Sequence, residues 1–62
     1  MIVQFVDSVA GTAVYLNPDF VVTVRPDPAA LDRVSLVKLR DGETIRVQGD
    51  HREVADKLSR AA

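Results

Sequence analysis

Short apolar bursts separated by turn-forming residues run through most of this chain, and only its last segment changes to a helical period. Ile2 to Val6 is β-branched and aromatic and reads as a first strand. Gly11 breaks the pattern, and Thr12 to Leu16 reads as a second strand. Asn17-Pro18-Asp19 then interrupts pairing. Proline fixes φ and lacks an amide donor, which suits the second position of a turn, and asparagine suits the first. Phe20, Val22 and Val24 alternate with Val21, Thr23 and Arg25, which predicts a third strand with the first trio on one face. Pro26-Asp27-Pro28 stops it, and Ala29 to Asp32 reads as a loop with room for one helical turn.

Arg33 to Leu39 and Glu43 to Val47 predict a hairpin whose register can be argued. A two-residue loop at Asp41-Gly42 would mix apolar and charged side chains on both faces. A three-residue loop, Arg40-Asp41-Gly42, pairs Val37 with Ile45 and Leu39 with Glu43. It gathers Val37, Leu39, Ile45 and Val47 on one face and puts Gly42 at the left-handed position of a bulge turn. The three-residue loop is therefore expected. It leaves Val34 and Leu36 on the opposite face without cover.

Gly49 allows a bend, and Asp50 reads as a helix N-cap with Glu53 completing an Asp-x-x-Glu capping box. Val54, Leu58 and Ala61 make a narrow apolar stripe, and Glu53–Lys57 and Asp56–Arg60 are acid-to-base pairs at i,i+4. The predicted fold is a single α+β domain over residues 1–62. It is a small antiparallel β-meander of about five short strands followed by one C-terminal amphipathic helix, which covers one sheet face.

Composition narrows the functional classes. A chain of 62 residues buries only about 60% of its unfolded surface, so its core is marginal without reinforcement. There is no cysteine for disulfides or zinc thiolates, and the single His51 cannot build a histidine-rich metal site. No cofactor or metal ligand set is expected, and a homo-oligomer is the reinforcement that remains. Eight basic against nine acidic residues give a net charge of −1, which lacks the basic surplus of a dedicated nucleic-acid binder. The opening Met-Ile-Val-Gln-Phe-Val-Asp has no basic start, which argues against a signal peptide. No apolar run reaches the roughly 20 residues needed to span a bilayer. A cytoplasmic protein without membrane insertion is the expectation.

No catalytic constellation emerges. Asp50, His51 and Glu53 fall in the first turn of the predicted helix, where the two acids serve as caps and the histidine is solvated beside them. Ser8, Ser35 and Ser59 have no histidine at a useful spacing, and there is no glycine-rich phosphate loop. Arg25, Arg33, Lys38, Arg40, Arg46 and Arg52 could line a basic stripe or a mixed, solvated face, and Tyr15 and Phe20 could stack on bases or fill the core. Asn17-Pro18-Asp19 reads as a turn in which Asn17 bonds back to the backbone, with Asp19 free for recognition. The candidate interaction residues are Asn17, Asp19, Val34 and Leu36.

One segment carries a family resemblance. Gly11, then Tyr15-Leu16-Asn17-Pro18-Asp19 followed by Phe20-Val21, resembles the small FlbD/SwrD-type proteins linked to bacterial flagella. The likeness continues through Val37-x-Leu39-x-x-Gly42-x-x-Ile45-x-Val47 and Glu53-Val54-x-x-x-Leu58, and so covers Gly11 to Leu58 in order. Met1 to Val9 lacks that family's threonine-rich opening strand, and Arg25 to Arg33 is longer than its loop. The resemblance implies a non-enzymatic, self-associating interaction module that docks a protein partner, with a flagellar-motor accessory as its setting. A weaker similarity joins the five-strand-plus-helix plan and His51-Arg52-Glu53 to CsrA-type RNA-binding dimers, whose basic first strand is missing here. It implies the alternative, a small nucleic-acid-binding regulator.

Overall fold

The computed structural model describes residues 1–61. Five short strands precede one helix: β1 (Val3–Val6), β2 (Ala13–Leu16), β3 (Val21–Pro26), β4 (Val34–Leu39), β5 (Thr44–Gln48) and α1 (His51–Ala61). The α+β plan is the expected one, with every ladder antiparallel. The meander is broken, however, into a β1-β2 hairpin and a β3-β4-β5 sheet. Between β2 and β3 the chain winds through a 3-10 turn at Pro18–Phe20 instead of reversing in a tight hairpin. A single bridge, Asp7 to Val47, joins the two sheets, reinforced by Ser8 N–H donating to the Arg46 carbonyl.

The β4–β5 register is the expected one. Val37 lies opposite Ile45, and the Leu39 and Gly42 amides donate to Glu43 and Leu39 carbonyls at 2.8 and 3.0 Å. Gly42 has φ +89°, the left-handed conformation in which a side chain would be strained. Val37 and Val47 are fully buried at the centre of a core completed by Val3, Phe5, Leu16, Leu39, Val54 and Leu58. The helix lays Val54 and Leu58 on this face, with Ala61 packed against them.

Strand β3 departs from simple alternation. Val21 lies opposite Leu39 and Thr23 opposite Lys38, so one extra residue bulges out between them. A bulge shifts the side-chain parity of everything before it. Val21 and Val24 therefore pack against the core, and Val22 and Phe20 are 56% and 41% exposed. The expected trio of Phe20, Val22 and Val24 on one face is not formed.

The helix begins as expected at Asp50, but its first turn is closed differently. Asp50 Oδ1 accepts the Arg52 amide at 2.9 Å, and the Asp50 carboxylate also holds the Arg52 guanidinium at 3.0 Å. Asp56–Arg60 forms at 3.0 Å. Lys57 does not turn to Glu53. Its ammonium donates to the Gln4 carbonyl at 2.7 Å and stands 4.8 Å from the centre of the Phe5 ring. These contacts tie the helix to the outer side of β1, where it diverges from β5.

Candidate interaction surface

The face of β3-β4-β5 turned away from the helix is organised in cross-strand rows. Arg25, Leu36 and Arg46 form one row; Thr23, Lys38 and Thr44 form the next. At one end, Asp27 lies beside Val34, its amide donating to the Val34 carbonyl at 3.0 Å. Arg46 on β5 reaches Asp27 beyond β3, with Nη2 and Nε donating to Asp27 Oδ2 at 2.6 and 2.8 Å. The side chain has to cross β4 between Val34 and Leu36 to do so. Those two residues are half-buried, and an arginine stem lying on that path can supply part of their apolar cover. The expected bare apolar pair is not there.

Beyond that strut lies a groove of 270 Å³ lined by Val22, Thr23, Arg25, Leu36, Lys38 and Thr44. Arg25 and Lys38 flank Leu36 and form no ion pair among the described residues. Of the six cations considered for a stripe, Arg25, Lys38 and Arg46 share this face, and Arg40 lies in the turn after β4. Arg33 precedes β4 and Arg52 belongs to the helix cap. A chain of net charge −1 carries a locally basic sheet face whose one internal acid, Asp27, is already paired.

Asn17 is accounted for by the fold. Its Oδ1 accepts the Asp19 amide at 3.0 Å and caps the 3-10 turn, as its place before Pro18 predicts. Asp19 is exposed, and its side chain accepts no bond among the described residues. The same device recurs at every junction of the chain. Asp7 Oδ1 takes the Val9 amide at 2.8 Å and Ala10 at 2.9 Å, Asp27 takes Ala29 at 2.9 Å, and Asp41 takes Glu43 at 2.9 Å. With Asn17 and Asp50, one Asx side chain holds each connection between successive strands and the helix.

Three of these carboxyls are stabilised as anions, below the usual carboxylate range. Asp7 is lowered chiefly by the Ala10 and Val9 amides, and Asp27 by the Ala29 amide and then Arg46. Asp50 is lowered by the Arg52 side chain and amide, and Arg52 is in turn held more firmly protonated.

Of the residues considered for chemistry, Ser35 and Asp50 have structural roles. Ser35 is fully buried and its hydroxyl donates to the Gly49 carbonyl at 2.8 Å. His51 is half-buried instead of solvated: Nδ1 is 3.3 Å from Asp50 Oδ1 but is not aligned for a hydrogen bond. Among the described residues no three histidine, cysteine, aspartate or glutamate side chains cluster as metal ligands. No helix among the described residues is long and apolar enough to cross a membrane.

Sequence reasoning named Arg46 only as a stripe cation and missed its pairing with Asp27, although a signal was present. Asp27 stands between two prolines, a setting in which an Asx turn is the natural use of the carboxylate. Carrying the β4–β5 register on to β3 would have put Arg46 diagonally across Leu36 from it. No family model matches this chain, and no match to it is found among curated proteins or solved structures.

Proposed function

We propose that this protein is a non-catalytic interaction module that docks an acidic segment of a protein partner on the outer face of β3-β4-β5. The observation that carries this reading is the segregation of charge: Arg25 and Lys38 flank Leu36 in one groove with no acid of their own to bind. Unpaired cations around a half-buried apolar residue suit a partner strand that alternates carboxylates with aliphatic side chains. Charge complementarity of this kind contributes more to selection and association rate than to raw affinity. The likeness of Tyr15 to Val21 to the small flagellar proteins supports placing the module as an accessory of the flagellar motor.

The same basic face supports the second reading, a nucleic-acid-binding regulator. Protein is favoured because the groove lacks stacking platforms. Tyr15 belongs to the β1-β2 hairpin and Phe20 to the 3-10 turn, and neither lines the groove. Single-stranded nucleic acid is usually gripped by aromatics set among the cations.

Fluorescence anisotropy with two labelled probes decides between them: an extended peptide alternating glutamate with valine, and a single-stranded RNA of mixed sequence. Binding of the peptide that is lost in Arg25→Glu and Lys38→Glu supports the docking reading. RNA binding that weakens steeply with salt, without peptide binding, would establish the second reading instead. If neither probe binds, both readings of this face fall.

A further inference from the structure

Strands β2 and β3, the outermost, each leave an open sheet edge, and the two are built differently. The outer edge of β3 carries the bulge at Val22, the charge of Arg25 and the missing amide of Pro26. These are the devices by which edge strands avoid pairing with another chain. The outer edge of β2 carries none of them. From Thr12 to Asn17 it has no charge, no proline and no bulge.

The backbone groups at that edge can be assigned. Asp7 N–H donates to the Thr12 carbonyl at 2.8 Å, and the ladder runs on through Val6–Ala13, Phe5–Val14 and Gln4–Tyr15. Hydrogen-bonded pairs alternate along an antiparallel ladder. Val14 and Leu16 therefore turn their amides and carbonyls to β1, and Ala13 and Tyr15 turn theirs outward. The Gln4 carbonyl, which points away from β2 to meet Lys57, confirms the phase.

We propose that a second copy of this chain docks on β2, edge to edge and antiparallel, about a two-fold axis at Val14. In that register Ala13 of one copy lies opposite Tyr15 of the other. Each pair exchanges both backbone hydrogen bonds using the groups that face outward. The side chains fit the same register: each Tyr15 ring, 62% exposed in the single chain, lies over the small Ala13 of its partner. The two rings are then diagonal neighbours, within aromatic reach. No charge on either edge opposes the approach. The product is a four-stranded sheet, β1-β2-β2-β1, in which the outward backbone groups of both β2 strands are paired. Self-association through the Val34–Leu36 face is disfavoured by comparison, because it would bring Arg25 and Lys38 of one copy against those of the other. This surface is separate from the basic groove, and the inference does not rest on what the groove binds.

Sedimentation velocity of the full chain over a concentration series is the first test. The weight-average sedimentation coefficient should rise from monomer to dimer. Tyr15→Lys and Ala13→Pro should hold it at the monomer value; the proline removes an outward amide and no bond to β1. Leu36→Glu should dimerise like the parent. A parent that stays monomeric up to millimolar concentration overturns the proposal, as do folded edge variants that dimerise normally. Hydrogen exchange of the parent tests the same point without substitution: the Ala13 and Tyr15 amides should slow as concentration rises, and those of Val22 and Val24 should not. Exchange at Ala13 and Tyr15 that is independent of concentration refutes the interface even if the variants fail to fold. Acidic-peptide binding by monomeric Tyr15→Lys, measured in parallel, reports on the groove alone.

Discussion

Arg46 and Asp27 join the two outer strands of the three-stranded sheet across the one between them, at 2.6 and 2.8 Å. The aspartate divides its carboxylate: Oδ2 takes the arginine, and Oδ1 takes the Ala29 amide that shapes the loop leading into β4. One residue thereby fixes the end of β3, the path of the following loop and the cover over Val34 and Leu36. Asp27 is buried and Arg46 half-exposed, and solvent at the arginine end weakens the attraction. Here the hydrogen bond within the turn and the packing of the arginine stem are expected to outweigh the Coulomb attraction.

That ranking is testable with three variants. Asp27→Asn keeps an acceptor for Ala29 and loses the charge, so its thermal midpoint should fall only slightly. Asp27→Ala loses both and should fall by more, on the order of 5 °C for a domain of this size. Arg46→Met keeps an apolar stem over Val34 and Leu36, and Arg46→Ala does not. Thermal melts should rank Arg46→Ala below Arg46→Met. Equal midpoints for these two would show that the stem covers nothing.

Acid should unfold the protein through its turn aspartates. Asp7, Asp27 and Asp50 have folded-state pKa values lowered from the ordinary 3.8. A carboxyl lowered on folding contributes stability that is fully present above its unfolded value. That stability is lost as pH falls through the folded value, because the unfolded chain then takes up the proton more readily. Urea midpoints should be flat near neutrality and drop between about pH 5 and pH 2. Replacing all three aspartates by asparagine should flatten the drop while keeping the turns. An unchanged acid limb in that variant would assign acid unfolding to other carboxyls.

Asn17 and Asp19 should separate cleanly. Asn17→Ala removes the acceptor for the Asp19 amide and should lower the thermal midpoint by several degrees, and Asn17→Asp should restore it. Asp19→Ala should leave the midpoint unchanged, since its exposed side chain holds nothing in the fold. An Asp19→Ala variant that melts as early as Asn17→Ala would reveal a structural duty for that carboxylate.

The parts legible in the sequence are those fixed by local pattern. The three-residue loop followed from the demand that Val37 and Ile45 share a face, and the 3-10 cap at Asn17 followed from asparagine before proline. The β3 bulge was not legible, because Phe20 to Val24 is apolar at nearly every position and alternation then has no contrast to read. Lys57 was assigned to Glu53 by helix spacing, yet its ammonium goes to the carbonyl of Gln4, which is left without a strand partner. The Arg46–Asp27 strut depends on β3 being placed beside β4, and sequence order alone does not fix that. The candidate site was legible in part: Leu36 and the cations were named from the sequence, but which of the cations share a face is decided only once the strands are paired.

Helix packing should dominate the stability of the chain. A domain of this length is expected to have only about 3–9 kcal/mol to lose. Leu58 is buried against the sheet, and replacing a buried leucine by alanine costs about 2–5 kcal/mol. Leu58→Ala should therefore lose a large share of the stability, with a much lower urea midpoint and helical circular dichroism lost in step with the tertiary signal. Gly49→Ala should act on the same contact from the other side. Gly49 has φ +126°, and an added Cβ would stand 3.3 Å from Val54 Cγ2. Strain in that backbone region costs about 1–3 kcal/mol, so this variant should fold with a clearly lowered urea midpoint. A Gly49→Ala protein as stable as its parent would mean that the bend into the helix can shift without disturbing Val54. The tight junction between β5 and α1 would then not be what holds the helix to the sheet.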